Sequence, residues 1–428
     1  MPLDLLTRLD PLRRIRCPFC FERFAACAMH FRCDDHYCRT IDHARMIDDP
    51  ILTRAIRGRN PGGAPLRSAW WTDPRSDPVR GFRRHLDWMV LPGTLTCPNC
   101  KKPTDVRLCP CCHSHLPDSA ITLDAGHIAI FGPQSVGKST FITVLIHELD
   151  HRIGPELGFV LDPLTDEIRE RYERDYHAVT YGGSQFGIGE DLNGDSYRRA
   201  HEATRSLESN RGTLQPLIYR LTSRQGKGKG RRVGTLLSFF DTAGEDWEMN
   251  FNLLRGEARY FGEAKGLLFL IDPLRIRAVA HDRRLRLTLK ESMNPPADYL
   301  NDARKLLTFF RRAPVKVPLA ICLNKLDRWG RLLPEGTQLN DWACGVPDRA
   351  ADPRLDQAIH DEVQSALRQW GMAGFLEHVA LNFPNHRFFA SSTLGDAAQE
   401  LDDQPQPLPT PLLVERPVLW LLKQQGIL

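Results

Sequence analysis

Three short stretches hold residue types suited to a nucleoside triphosphate. Residues 132–140 read GPQSVGKST and fit GxxxxGK[ST], a spacing that lets backbone N–H groups and a helix N-terminus cradle phosphate. Gly132, Ser135, Val136, Gly137, Lys138, Ser139 and Thr140 are the expected cradle. The Lys138 ammonium is expected to reach the β- and γ-phosphates, and the Ser139 hydroxyl to ligate Mg²⁺. Residues 241–244 read DTAG, where Asp241 can hold the metal through water. Residues 324–327 read NKLD, with Asn324 and Lys325 leading to Asp327. A carboxylate at Asp327 accepts both N–H groups of the guanine edge, whereas adenine offers the wrong donor pattern there.

Each stretch alone is a weak signal. In this order, after the apolar runs 127–131, 236–240 and 319–323, they describe one site for guanine nucleotide and Mg²⁺. The elements that must position it alternate from about residue 118 onward, apolar strand with longer helical stretch, as in an α/β fold. The first strand is 127–131, and the phosphate loop turns it into a helix through Phe141, Val144, Leu145 and Leu149. A long polar interval with two glycine-rich patches follows, before strand 216–221. The glycine- and lysine-rich stretch 226–232 reads as a solvated hairpin loop. Strands 264–271, 315–323 and 387–389 follow, the first ending at Asp272.

The formal net charge of +4 does not imply a large nucleic-acid-binding face. No apolar run approaches the roughly 20 residues that span a bilayer. The first residues, MPLDLLTR, lack a signal-peptide core. The apolar stretch 417–428 reads as a core-packing helix, so the sequence predicts a soluble, cytosolic protein without membrane partners.

Of 12 cysteines, only Cys322 and Cys344 lie beyond the phosphate loop. The others cluster in CxxC pairs, which in a chain built for intracellular nucleotide chemistry favours metal over disulfides. Cys97, Cys100, Cys109 and Cys112 form two CPxC knuckles, expected to share one zinc ion in a tetrahedral Cys₄ ribbon. Cys111 is the alternative within the second knuckle. Cys17 and Cys20 make an earlier knuckle, expected to pair with Cys33 and Cys38 around a second zinc, with Cys27 and His36 as alternative ligands. Between the modules, Trp70, Trp71 and Trp88 are interleaved with arginines. The ordinary reading there is an insertion anchored by tryptophan, with solvated arginine. The resulting layout is a zinc module over 1–45, a connector over 46–95, a zinc ribbon over 96–120 and a nucleotide domain over 121–428.

The ordered GPQSVGKST, DTAG and NKLD boxes resemble a TRAFAC-class, Ras-like GTPase over roughly residues 125–428. Ribbon, P-loop, DTAGE and a tryptophan-leucine ending together resemble bacterial double-GTPase type proteins proposed to act in conflict, or anti-phage, systems. The resemblance implies a Ras-like P-loop GTPase fold with N-terminal zinc-ribbon-type modules. It implies a first-switch threonine on Mg²⁺, for which Thr213 is the candidate and Thr180 and Thr204 the alternatives. The loop after 387–389, with Ser391 and Ser392, resembles the SAK-type box whose backbone contacts the guanine oxygen.

The same resemblance gives Gly244 a backbone donor to the γ-phosphate and exposes two departures. Glu245 stands where many such enzymes carry the glutamine that orients attacking water. Gln134 stands in the P-loop where glycine is common, and can crowd that water or position it. The expectation is a GTP/GDP switch with slow hydrolysis that relies on a protein activator, on self-association or on a partner GTPase. Arg255 and Arg259 are internal-finger alternatives, read first as surface charges. The zinc modules are expected to recruit a protein effector. Rival expectations are a nucleotide-locked scaffold and an assembly factor that binds RNA.

Overall fold

The computed structural model describes residues 14–33, 47–48, 51, 67–68, 70–72, 95–133, 136–181, 216–223, 233–239, 260–281, 296–311, 316–343, 353–395 and 409–428. The chain divides into two compact units. One comprises Met1–Ala125 with Ala203–Pro216, and the other Gly126–Glu202 with Leu217–Leu428.

The first unit is built from three copies of one local turn. Each CPxC knuckle closes with the same two backbone bonds. The nitrogens of Phe21, Lys101 and His113 donate to the carbonyls of Cys17, Cys97 and Cys109, while the nitrogens of those cysteines donate to Glu22, Lys102 and Ser114. Phe21, Lys101 and His113 all take left-handed backbone, with φ of 60°, 61° and 55°. Side chains there cost about 1–2 kcal/mol each, so all three turns need outside support. Short antiparallel pairs flank the turns: Arg14–Arg16 with Arg23–Ala25, and Leu95–Thr96 with Pro103–Thr104. Strand His30–Arg32 pairs antiparallel with both Trp70–Thr72 and Arg107–Leu108, stitching distant stretches together. In this unit Ile15, Phe24, Met29, Phe31, Leu108 and Leu116 are buried.

The second unit is organised by seven strands. They are β1 (Asp124–Phe131), β2 (Phe159–Pro163), β3 (Leu217–Ser223), β4 (Val233–Phe239), β5 (Gly266–Ile271), β6 (Leu319–Leu323) and β7 (His386–Ala390). Their order in the sheet is β2-β3-β4-β1-β5-β6-β7. β1, β5, β6 and β7 run parallel, and the β2-β3-β4 side is antiparallel. Parallel strands need crossovers and buried faces. Accordingly β5 and β6 are apolar, buried at every position.

Helix α1 (Lys138–Glu148) follows β1, and α2 (Asp166–Tyr172) follows β2. The β5–β6 crossover contains α3 (Pro296–Arg311), and the β6–β7 crossover contains α4 (Pro353–Gln369) and α5 (Ala373–Asn382). The final helix α6 (Arg416–Gln424) buries Val418, Leu419, Trp420, Leu421 and Leu422, and its Trp420 ring lies 5.9 Å from Phe389 of β7. It packs into the core as the sequence predicts. Among the described residues no helix is long and apolar enough to cross a membrane.

The interval after α1 differs from the polar stretch expected there. It contributes the edge strand β2, in which Phe159 and Leu161 turn inward while Val160 is 55% exposed. Five alternating residues are too few to stand out within a polar neighbourhood. The glycine-rich part, residues 182–215, lies outside the described residues.

Candidate functional site

β1 is wholly buried at Phe131 and delivers the chain to Gly132. There φ is +157°, and a Cβ would stand 2.4 Å from the Leu270 carbonyl oxygen of β5. Only glycine lets the loop leave the sheet so close to its neighbour. Gly137, at φ +91°, ends the loop as the N-cap of α1. The Lys138 ammonium donates to the carbonyls of Gly132 and Pro133, each at 2.9 Å, and so closes the loop on itself. Ser139 and Thr140 sit partly exposed in the first turn of α1, and Val136 is fully buried.

The base-side residues converge from the ends of β6 and β7. Asn324 is the hub: its Nδ2 donates to the Val136 carbonyl at 3.1 Å. Its Oδ1 accepts from Thr393 Oγ1 at 2.8 Å and from Ser391 Oγ at 3.3 Å. Its carbonyl accepts from the indole of buried Trp329 at 2.8 Å. P-loop, NKLD turn and 390–393 loop are thus one hydrogen-bonded body. Lys325 is left-handed, with φ 64° and ψ 39°, and its ammonium is 2.6 Å from Asp272. An outlier of this kind costs about 1–3 kcal/mol and persists only where surroundings fix it.

Asp327 accepts a hydrogen bond from the Ser392 hydroxyl, which in turn accepts from the Gly395 nitrogen at 3.1 Å. Burial raises the Asp327 carboxyl above its ordinary range, and the Ser392 bond partly offsets that.

Of the expected residues, the structure brings Gly132, Val136, Gly137, Lys138, Asn324, Lys325, Asp327, Ser391 and Ser392 into this network or its immediate turns. Gln134, Ser135, Thr204, Thr213, Asp241, Gly244, Glu245, Arg255 and Arg259 lie outside the described residues. Thr180 belongs to a short helix, Ala178–Tyr181. Sequence reading missed Asp272, Trp329 and Thr393 as partners. Asp272 was visible as the polar end of an apolar strand, and Thr393 as a neighbour of Ser392.

The cysteines group differently from the sequence expectation. Cys17 and Cys20 meet Cys109 and Cys112, while Cys33 meets Cys97 and Cys100. The sulfurs of Cys17 and Cys112 are 3.8 Å apart, those of Cys20 and Cys109 3.7 Å, and those of Cys33 and Cys100 3.6 Å. A tetrahedral ion with Zn–S of about 2.3 Å requires edges of about 3.8 Å, so the donor sets fit zinc. The outer knuckles share one cluster and the inner residues share the other, a nested arrangement. It replaces both expected pairings, Cys97/Cys100 with Cys109/Cys112 and Cys17/Cys20 with Cys33/Cys38. The antiparallel pairing of His30–Arg32 with Arg107–Leu108 is the physical reason, because it draws the first knuckle to the last. Cys38 and His36 lie outside the described residues, Cys111 is exposed, and Cys27 belongs to neither group. Burial pushes the Cys17 thiol well up, while hydrogen bonds from Cys109 and its neighbours pull Cys112 down. Packed thiols of this kind favour a cation that neutralises their thiolates.

A scan against protein-family models finds no match. A curated protein of Mycolicibacterium smegmatis, described as "Putative ESX-1 scaffolding and assembly protein SaeC", is 27% identical over 281 residues. The match covers 61% of this chain and 64% of that protein's length. Among solved structures, the signal recognition particle receptor SRb-GTP/SRX complex from Chaetomium thermophilum matches at 13% identity and a TM-score of 0.26, over 64% of this chain and 92% of that one. The S. cerevisiae Ski7 GTPase-like domain, bound to GDP and inorganic phosphate, matches at 15% identity and a TM-score of 0.31, over 71% of this chain and 50% of that one. Overlaps this loose leave the fold to its own strand order and loops. The unit is α/β, with a phosphate loop between β1 and α1, NKLD after β6 and a serine-rich loop after β7. That is the Ras-like P-loop GTPase arrangement.

Proposed function

We propose that the chain is a GTP-binding switch that hydrolyses GTP slowly with Mg²⁺ and uses its zinc-holding unit to engage a protein partner. The observation that carries this reading is Asn324, which ties the phosphate loop to both base-side loops through Val136, Ser391 and Thr393. That connection supports a reading in which the Lys138 ammonium meets the phosphates and the Asp327 carboxylate meets the base of one nucleotide.

On binding, Lys138 exchanges its two carbonyl acceptors for β- and γ-phosphate oxygens. Ser139, Asp241 and Thr213 would hold Mg²⁺, which would neutralise phosphate charge. Ser391 and Ser392 frame the guanine oxygen, and Asp327 accepts the two guanine N–H groups. Gly244 donates its backbone N–H to the γ-phosphate. Glu245 lacks the amide donor that orients water, and its charge opposes phosphate, so turnover of the isolated chain stays below about 1 s⁻¹. An activator protein or a second GTPase supplies the missing group. The double-GTPase resemblance and the scaffolding relative both support a protein partner.

That relative's description also favours a second reading, a scaffold that holds GTP without turning it over. Nucleotide binding and hydrolysis by zinc-loaded protein test both. GTP-selective binding lost in Lys138→Ala, with slow release of phosphate, supports the switch. Binding with no phosphate release supports the scaffold. Absence of guanine preference sinks both.

A further inference from the structure

Cys322 is the one side chain of β6 with a polar hydrogen, and it is fully buried. Its partners in the ladder are apolar, Leu270 of β5 and Phe389 of β7. Packing alone would be served there by valine. Instead the sulfur stands 3.2 Å from the hydroxyl of Ser391, the first residue after β7 and itself fully buried.

The direction of this contact follows from counting protons. Asn324 Oδ1 carries no hydrogen, so at 3.3 Å the Ser391 hydroxyl must donate to it. A hydroxyl has one hydrogen, so only its lone pairs face the sulfur, and the Cys322 thiol is the donor. Burial pushes that thiol up to about 12, which keeps its hydrogen in place at neutral pH. The relay therefore runs from Cys322 to Ser391 to Asn324. Thr393 Oγ1 donates to the same Oδ1 at 2.8 Å. Two hydroxyl donors hold the amide with Nδ2 on the Val136 carbonyl of the phosphate loop. The reverse amide would set oxygen against oxygen there.

We propose that Cys322 is a positioning residue for guanine nucleotide. Its thiol fixes the Ser391 hydroxyl, and through it the Asn324 amide that joins the phosphate loop to the base-side loops. This role rests on the GTP-binding reading above and deepens it.

Two substitutions separate positioning from packing. Cys322→Val fills the space and removes the donor, whereas Cys322→Ser keeps a donor and gives up bulk. A packing role ranks valine above serine, because serine leaves a void and a more polar group in an apolar strand. The positioning role reverses that rank in nucleotide retention, even where serine lowers the melting temperature. Stopped-flow release of a fluorescent GDP from the full zinc-loaded chain with Mg²⁺ gives the measurement, with thermal melting beside it. Release should be roughly three- to tenfold faster in Cys322→Val and within about twofold of wild type in Cys322→Ser. In a Ser391→Ala background, Cys322→Val should add nothing. Release from Cys322→Val no faster than from wild type, release from Cys322→Ser faster than from Cys322→Val, or an additive effect with Ser391→Ala overturns the role of Cys322 and leaves the nucleotide reading standing. Wild type without guanine preference sinks that reading, and the positioning role with it.

Discussion

Lys325 and Asp272 join the ends of two neighbouring parallel strands through a 2.6 Å ion pair. Asp272 is 3% exposed, and its other oxygen accepts from the Leu274 nitrogen at 3.0 Å. It caps the turn after β5 with one oxygen and holds the lysine of NKLD with the other. The left-handed backbone of Lys325 is anchored at its side chain as well as by its neighbours.

Asp272→Asn keeps the capping oxygen and removes the charge. Loss of a charge-assisted bond of about 1–2 kcal/mol predicts roughly tenfold faster release of guanine nucleotide. The melting temperature of nucleotide-free protein, in which the same bond is made, should fall by about 2–8 °C. In a Lys325→Met background the same substitution should add nothing to the release rate. Stopped-flow release of a fluorescent GDP measures both, and an additive effect would show that Asp272 acts by another route.

Guanine affinity should fall on acidification, and earlier than an ordinary exposed carboxylate predicts. Burial raises the Asp327 carboxyl in the nucleotide-free chain, so it takes up a proton at higher pH than usual. Protonation removes one acceptor for the guanine N–H pair. The sign is fixed: affinity is full above the raised value and declines below it. An affinity profile between pH 4 and 8, compared with Asp327→Asn, checks this. The variant should be weak throughout and flat.

Gly132→Ala and Gly371→Ala separate two costs of a side chain on left-handed backbone. At Gly132 the new Cβ meets the Leu270 carbonyl oxygen at 2.4 Å. At Gly371, with φ +76°, nothing lies within 4 Å. The second change should cost only the conformational penalty, about 1–2 kcal/mol. The first adds a backbone clash, should cost a further 1–3 kcal/mol or so, and should abolish nucleotide binding. Denaturant titration of both variants gives the comparison.

Cysteine substitutions should sort by the nested clusters. Cys17→Ser and Cys112→Ser should each lose the same zinc ion, leaving the ion at Cys33, Cys97 and Cys100 in place. Sequential pairing would instead make Cys112→Ser resemble Cys97→Ser. Metal counts with cobalt spectra of the remaining site decide between the two patterns.

The candidate nucleotide loops were legible because their signals are local. A glycine needed by a tight loop, a lysine beside it and NKLD after an apolar run each declare themselves within ten residues. β6, at 319–323, is the second half of the strand read over 315–323, and the burial of α6 followed from its run of apolar residues. The knuckle partnership was not legible. CPxC spacing sets two sulfurs on one turn, but which turns meet depends on pairing between His30–Arg32 and Arg107–Leu108, far apart in the chain. The hub role of Asn324 was half legible, since its motif was clear but Thr393 and Trp329 reach it only through the fold.

The partnership of Cys20 with Cys109 spans 89 residues and sets a schedule for the growing chain. At about 5–20 residues per second, a ribosome needs roughly 4–18 s to make that span. Through that time the first knuckle lacks the pair it meets in the folded chain, and only other cysteines are within reach. Oxidants and competing metals meet it in that state. Zinc supply during synthesis, rather than after it, would then govern how much of this protein matures.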